Sequence, residues 1–321
     1  MTPSIRARAA EPLFWFLGVR RQTKTAELAA RNIDRLRRTQ QAPVPPRRVQ
    51  RKVEVTESRT GRWAIHTLRP RDQAPGLRIV YLHGGGYVKQ MIGLHWDFGV
   101  YLAQRVPAVV DMVTYPLAYE QTAEHTIPQL AEYCATLDQS DLPVVLAGDS
   151  AGGAMALAVA QYLRDKSTSG PAGLLLICPW LDVRMRNPEQ QVMQRRDCSQ
   201  AIPGLRVYGA AYAGPLGVDH PYASPILGGA QGLPPTLLIS AGRDMFDADD
   251  RVFADRARNE DVRLQHHRGA GMQHDYPMLA VLPEARLARR VMLDWLHEAI
   301  PVSPPPRRGR LHSVTEAEKT R

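Results

Sequence analysis

Val144-Val145-Leu146-Ala147-Gly148-Asp149-Ser150-Ala151-Gly152-Gly153 is the stretch on which the reading of this chain turns. Four apolar residues make a short buried strand, and Ala154 to Leu163, rich in small residues, reads as the helix that follows. Between them Gly-x-Ser-x-Gly is a strand-to-helix elbow that lifts one serine out of the chain at strained backbone angles. Side chains at positions 148, 152 and 153 would collide with the strand or the helix, which accounts for the glycines. The turn also aims the Ser150 hydroxyl at a helix N-terminus, where free N–H groups favour negative charge. Ser150 is therefore the candidate nucleophile, while Asp149 beside it reads as a hydrogen-bonded structural carboxylate.

Outward from the elbow, similar strand-like runs recur at Arg78–Leu82, Ala108–Thr114, Leu174–Cys178, Thr236–Ser240 and Val262–His266, separated by helical patterns. This alternation predicts an α/β fold with a mostly parallel central sheet and helices on both faces. Ligands in such sheets bind at loops beyond the C-terminal strand edge. Directly after the Arg78–Leu82 run comes His83-Gly84-Gly85-Gly86-Tyr87. Three glycines let backbone N–H groups approach a substrate, and donors held in a water-poor loop stabilise the oxyanion of a tetrahedral intermediate. A phosphate loop is the competing reading, but no Gly-Lys-Ser/Thr follows. Gly85, Gly86 and Ala151 are the candidate oxyanion donors, with Gly84 holding the turn.

His83-Gly84-Gly85-Gly86-Tyr87 together with Gly148-Asp149-Ser150-Ala151-Gly152-Gly153 resembles the hormone-sensitive-lipase-like family of α/β-hydrolases, the bacterial family IV esterases. Tyr115-Pro116-Leu117-Ala118, Cys178-Pro179-Trp180-Leu181-Asp182 and Leu233-Pro234-Pro235-Thr236 extend the likeness over roughly residues 77–297. The resemblance implies an α/β-hydrolase fold with a helical cap and a serine carboxylesterase acting on short- to medium-chain esters. It also implies a cap built from an N-terminal helical arm, residues 1–52, and a second segment, 182–221. Residues 53–300 would be the catalytic domain, and Phe14, Trp15 and Phe16 could line the acyl or alcohol pocket.

In this fold the order is serine, acid, histidine. His274 lies on the loop after the last strand run, whereas His266 and His267 lie in that run or at its end. Asp244 ends the preceding strand, with Asp247, Asp249 and Asp250 as alternatives that suit the charged first turn of a helix better. The chain departs from the family where Asp-Pro-Leu becomes Asp244-Met245-Phe246 and His-Gly-Phe becomes His274-Asp275-Tyr276. The segment from Tyr119 to Pro128 also looks longer than the family's. The triad chemistry calls for no metal and no organic cofactor. A lactone hydrolase or a natural-product deacetylase would use the same residues. A non-catalytic small-ligand receptor, as in the related plant gibberellin receptors, would be expected to have lost His274.

Composition narrows the partners. The 321-residue chain carries a formal charge of +9, but residues 1–52 hold 13 Lys+Arg against 3 Asp+Glu, and 301–321 hold 5 against 2. The rest is slightly acidic, so no basic face for nucleic acid is implied and a small-molecule ester is the expected partner, with a homodimer left open. Three cysteines in unrelated contexts suit a reducing cytoplasm. The apolar run Leu13–Val19 is short and followed by Arg20-Arg21, a poor signal peptide, and no stretch is long enough for an integral membrane segment. Residues 23–38 read as a helix, 41–48 as a stiff Pro-rich connector and 301–321 as a disordered tail.

Overall fold

A computed structural model describes residues 3–9, 19–61, 63–137 and 142–300. Phe14 to Phe16 and the tail 301–321 lie outside the described residues. The sheet has eight strands: β1 (Glu54–Thr60), β2 (Trp63–Arg69), β3 (Leu77–Leu82), β4 (Ala108–Thr114), β5 (Val144–Asp149), β6 (Gly173–Ile177), β7 (Thr236–Ala241) and β8 (Leu264–Gly269). Their spatial order is β1-β2-β4-β3-β5-β6-β7-β8. Strands β3 to β8 run parallel, while β1 and β2 form an antiparallel edge, β2 pairing with β4.

Alternation along the strands divides the core. Leu77, Ile79 and Tyr81 of β3 face a cluster shared with Phe98, Leu102, Met292 and Leu296, whereas Val80 and Leu82 face one shared with Leu130, Met155, Leu157 and Phe253. Helices α2 (Gly93–Arg105) and α8 (Pro283–Ala299) thus cover one face. Helices α3 (Ala123–Leu137), α4 (Ala151–Asp165) and α7 (Asp247–Asn259) cover the other. The doubly covered sheet explains why β3 to β7 read as continuous apolar runs.

The helix predicted over 23–38, α1, is Ala26–Thr39, three residues shorter at its start, because the Thr25 hydroxyl caps it by accepting from Leu28 N–H at 3.2 Å. Its inward face is Ala29, Asn32 and Leu36, with Leu28 only half-buried. Between β6 and β7 the chain forms α5 (Pro188–Met193) and α6 (Ile202–Ala213), the helices expected over the strand edge. Helix α1 packs on α6, and the 3-10 turn Val19–Thr23 comes so close that a side chain at Gly204 would overlap the Thr23 backbone. No helix of the described residues is long and apolar enough to cross a membrane.

The β1–β2 hairpin is absent from the sequence expectation. β1 is a polar, mostly exposed edge strand, Glu-Val-Thr-Glu-Ser-Arg-Thr, with no apolar run to mark it. β8 begins two residues later than predicted and extends to Gly269, so His266 and His267 both lie inside it.

Candidate active site

Strand registry assembles the site. Leu82 pairs with Gly148, so the glycine loop after β3 and the elbow after β5 leave the sheet side by side. Ala241 pairs with Gly269, which brings the loops carrying Asp244 and His274 together in the same way.

At the elbow Ser150 has φ 52° and ψ −120°, the strained geometry expected of a raised nucleophile. A Cβ on Gly148 would overlap the Gly152 backbone, and one on Gly152 would overlap the carbonyl of Leu82. Gly153 lies 3.0 Å, at the same hypothetical Cβ, from Pro179 and from the Gly148 carbonyl. Ser150 precedes α4, whose first residue is Ala151.

Gly84, Gly85 and Gly86 line a cavity of about 310 Å³ together with Ser150, His274 and Asp275. Gly85 and Gly86 have φ 127° and 62°. A Cβ on Gly85 would come within 2.5 Å of the Lys89 carbonyl, so backbone shape and close approach both demand glycine there. Gly84 has another reason: its Cβ would overlap Oδ2 of Asp149. That carboxylate is buried, accepts from Tyr81 Oη at 2.5 Å and lies 3.2 Å from His95 Nε2. Burial favours its neutral form, but the pairing with His95 and the Tyr81 hydrogen bond outweigh it and hold the Asp149 carboxyl below the ordinary carboxylate range. Tyr115 Oη donates to the His83 carbonyl at 2.5 Å, tying down the start of the glycine loop.

Asp244 Oδ2 lies 2.6 Å from His274 Nδ1, and Asp244 is fully buried. Burial tends to lower the His274 pKa, but the charges of Asp244 and Asp275 outweigh it and hold the imidazole well above its ordinary value. His274 Nε2 lies 3.0 Å from Asp275 Oδ2. Ser150 and His274 face the same cavity, and no hydrogen bond joins their side chains.

The alternative acids are accounted for. Asp247, Asp249 and Asp250 open α7 as expected, but all three are buried rather than solvated. Asp247 pairs with Arg268 and Arg251 and accepts from Ser240 Oγ, which in turn lies 2.8 Å from His266 Nε2. Asp249 accepts from Asn187 and Gln190 of the segment between β6 and β7. Asp250 has no partner on either oxygen, and burial pushes its carboxyl well above the ordinary range.

Several residues of the site carried no motif. Asp197, which accepts from Met245 N–H at 3.2 Å, ties the segment before α6 to the Asp244 loop. Tyr208 of α6 is held by Asn32 of α1 at 2.6 Å and lines the cavity with Thr23 and Leu205. Stacked or tilted rings run from Tyr212 through Tyr87, Trp180 and Phe246 to the edge of His274, with neighbouring centroids 3.7 to 5.6 Å apart. Cys178 Sγ lies within 4.8 Å of the Asp244–His274 pair, but the imidazole Nδ1 is already taken by Asp244 and burial pushes the thiol well above its ordinary value. That chemistry suits packing behind the pair rather than metal binding.

Residues 79–278 match a family of the α/β hydrolase fold. An acetyl-hydrolase of Streptomyces hygroscopicus is 30% identical over 247 residues, covering 74% of this chain and 81% of that protein. Human hormone-sensitive lipase is 26% identical over 232 residues, covering 69% of this chain and 21% of the lipase. The crystal structure of an esterase from the bacterial hormone-sensitive lipase family superposes with a TM-score of 0.75 at 22% identity, covering 94% of this chain and all of that one. Elbow, glycine loop, sheet order and these relatives agree: the chain belongs to the α/β-hydrolase family, in its hormone-sensitive-lipase-like branch of carboxylic ester hydrolases.

Proposed function

We propose that this ester hydrolase is a serine carboxylesterase for short- to medium-chain esters, with Ser150 as nucleophile, His274 as general base and Asp244 as the carboxylate behind it. The observation that carries the reading is the 2.6 Å Asp244–His274 contact beside the cavity that Ser150 enters from its strained elbow. Ser150 Oγ attacks the ester carbonyl as its proton passes to His274 Nε2, and the N–H groups of Gly85, Gly86 and Ala151 hold the oxyanion. The imidazolium then protonates the leaving alcohol. Water, deprotonated by the same nitrogen, hydrolyses the acyl-enzyme and returns Ser150 to its hydroxyl form.

The arm 1–52 and the segment 182–221 act as a cap that sizes the pocket, a role supported by Thr23, Leu205 and Tyr208 in its wall. A cavity of about 310 Å³ suits a short acyl chain better than a long one. The three cysteines are buried and no disulfide joins one to another, which suits a cytoplasmic location. A deacetylase reading is favoured by one observation, the acetyl-hydrolase name of the Streptomyces relative. It differs in the alcohol half of the substrate and not in the residues used.

The test is hydrolysis of p-nitrophenyl esters from acetate to palmitate by wild type and Ser150→Ala, alongside fluorophosphonate labelling. Activity and labelling that both vanish with Ser150 support the reading. Folded wild type that does neither sinks it.

A further inference from the structure

The Nε2 edge of His274 has a neighbour the triad mechanism does not use. Asp275 follows the histidine directly, at φ 52°, in the left-handed region that glycine, Asn and Asp tolerate best. This conformation turns its carboxylate back, placing Oδ2 3.0 Å from His274 Nε2. Oδ1 is buried with no hydrogen-bond partner, so the contact with His274 is the direct one this carboxylate makes, while His95 in the same wall acts on it through space. We propose that Asp275 is a positioning residue acting through His274: its carboxylate flanks the nitrogen that takes the Ser150 proton and keeps a proton there in the resting enzyme. This inference rests on the assignment of His274 as general base.

An ionised carboxylate offers only lone pairs, and a neutral imidazole acting as base offers a lone pair at Nε2. At 3.0 Å two such atoms repel, so the contact is favourable only when one partner is protonated. Burial raises the Asp275 carboxyl most and Asp149 adds to this, against the opposing pull of His274, leaving it pushed up to about 6. His274 is held well above its ordinary value, so the resting proton belongs chiefly to the imidazole.

The remaining groups around the imidazole do not replace Asp275. Asp244 occupies Nδ1. Asp197 and Asp250 act on the ring through space, and Cys178 behind the pair is a buried thiol. Asp149 lines the cavity with its own partners Tyr81 and His95 and acts on Asp275 through space, and burial lowers the pKa of His83 to about 3. Lys89 lines the same cavity, and among the described residues only Asp275 lies within ion-pairing distance of Nε2.

For catalysis the Nε2 proton must first leave to water. That exposes the lone pair, which accepts the proton of Ser150 Oγ as the oxygen bonds to the ester carbon. Asp275 then stabilises the imidazolium it had stabilised at rest. The carboxylate thus opposes formation of the base at low pH and supports proton uptake once the base exists.

The test is the pH profile of kcat/KM for p-nitrophenyl acetate in wild type, Asp275→Asn and Asp275→Gly, both of which the backbone conformation accommodates. Removing the charge should move the acidic limb to lower pH by about one unit or more. At pH values below the wild-type limb the variants should then be about tenfold or more faster, while their high-pH plateau should be lower, so the profiles cross. A plateau that falls with the limb unmoved in both variants overturns the proposal, because a merely structural residue gives that result. An independent readout needs no substrate: the ¹⁵N resonances of His274, assigned with His274→Gln, should titrate at lower pH in both variants. Unchanged titration overturns the proposal. A shifted titration in an enzyme that hydrolyses no ester supports the hold on His274 and overturns only the esterase reading.

Discussion

Replacing Gly84 by alanine tests whether the glycine loop is shaped by Asp149. The added Cβ would overlap Asp149 Oδ2 and lie 3.1 Å from its Cγ and 3.2 Å from its carbonyl. To reach ordinary contact distance the carboxylate oxygen must withdraw by about 1 Å. Oδ2 is the oxygen facing His95 at 3.2 Å, and Oδ1 is held by Tyr81 at 2.5 Å, so the shift breaks one charge-assisted contact and strains the other. Removing a partner from such a buried pair costs about 3–5 kcal/mol. With an unfolding entropy of about 2.1 cal/mol/K per residue over 321 residues, that corresponds to a melting temperature lower by roughly 4–7 °C. Urea unfolding followed by tryptophan fluorescence would measure it. The cost should also depend on the carboxylate: in an Asp149→Ala background, Gly84→Ala should cost less than about 1 kcal/mol, since of the three nearest atoms the backbone oxygen alone remains. Equal costs in both backgrounds would refute the collision with the carboxylate as the reason for Gly84.

Three further outcomes follow from the site. Asp244→Asn should lower kcat by about 10⁴ with little change in KM, because the imidazole loses the carboxylate that fixes its tautomer; a variant retaining more than about 1% activity would transfer that role to Asp197 or Asp250. Leu205→Trp should cut the hexanoate-to-acetate ratio of kcat/KM by about tenfold or more, as the buried cavity wall moves inward, and an unchanged ratio would remove α6 from the acyl pocket. Asp250 is an acid whose folded pKa is raised by burial and by Asp244, Asp247 and Asp249. Its neutral form contributes stability fully below the ordinary carboxylate range, and that contribution is lost as pH rises toward the folded value. Asp250→Asn should therefore gain in melting temperature over wild type from pH 4 to pH 8, whereas a pH-independent difference would mean the carboxyl finds a partner.

Most of the sheet was legible because β3 to β7 are buried on both faces and must be apolar throughout. The β1–β2 edge escaped for the converse reason: β1 needs no apolar residue when one partner strand supplies its hydrogen bonds and solvent takes the rest. Ser150, His274, Asp244 and the glycine loop were readable as short motifs at strand ends, since the geometry there is set by neighbouring residues. Asp197 and Asn32 were not readable. Each acts through a contact between segments far apart in the chain, Asp197 with Met245 and Asn32 with Tyr208, and an isolated polar residue gives no sign of such a partner. Asp275 stood out only as a departure from the family's glycine.

The buried acids around His274 connect these observations. Asp197, Asp244, Asp247, Asp249 and Asp250 are all buried near the ends of β7 and α7, an arrangement that would be prohibitive if every one were an unpaired anion. Each is handled differently. Arg268 and Arg251 pair with Asp247, Asn187 and Gln190 donate to Asp249, and backbone N–H groups of Ser199, Gln200 and Met245 surround Asp197. Asp250, with nothing to pair with, is pushed toward its neutral form. Among the described residues, only Asp244 and Asp275 bring a carboxylate directly to the imidazole nitrogens. Under the proposed mechanism Asp244 orients the ring and Asp275 sets its hold on the Nε2 proton, so the proton affinity of the base is adjustable at position 275 without touching the triad.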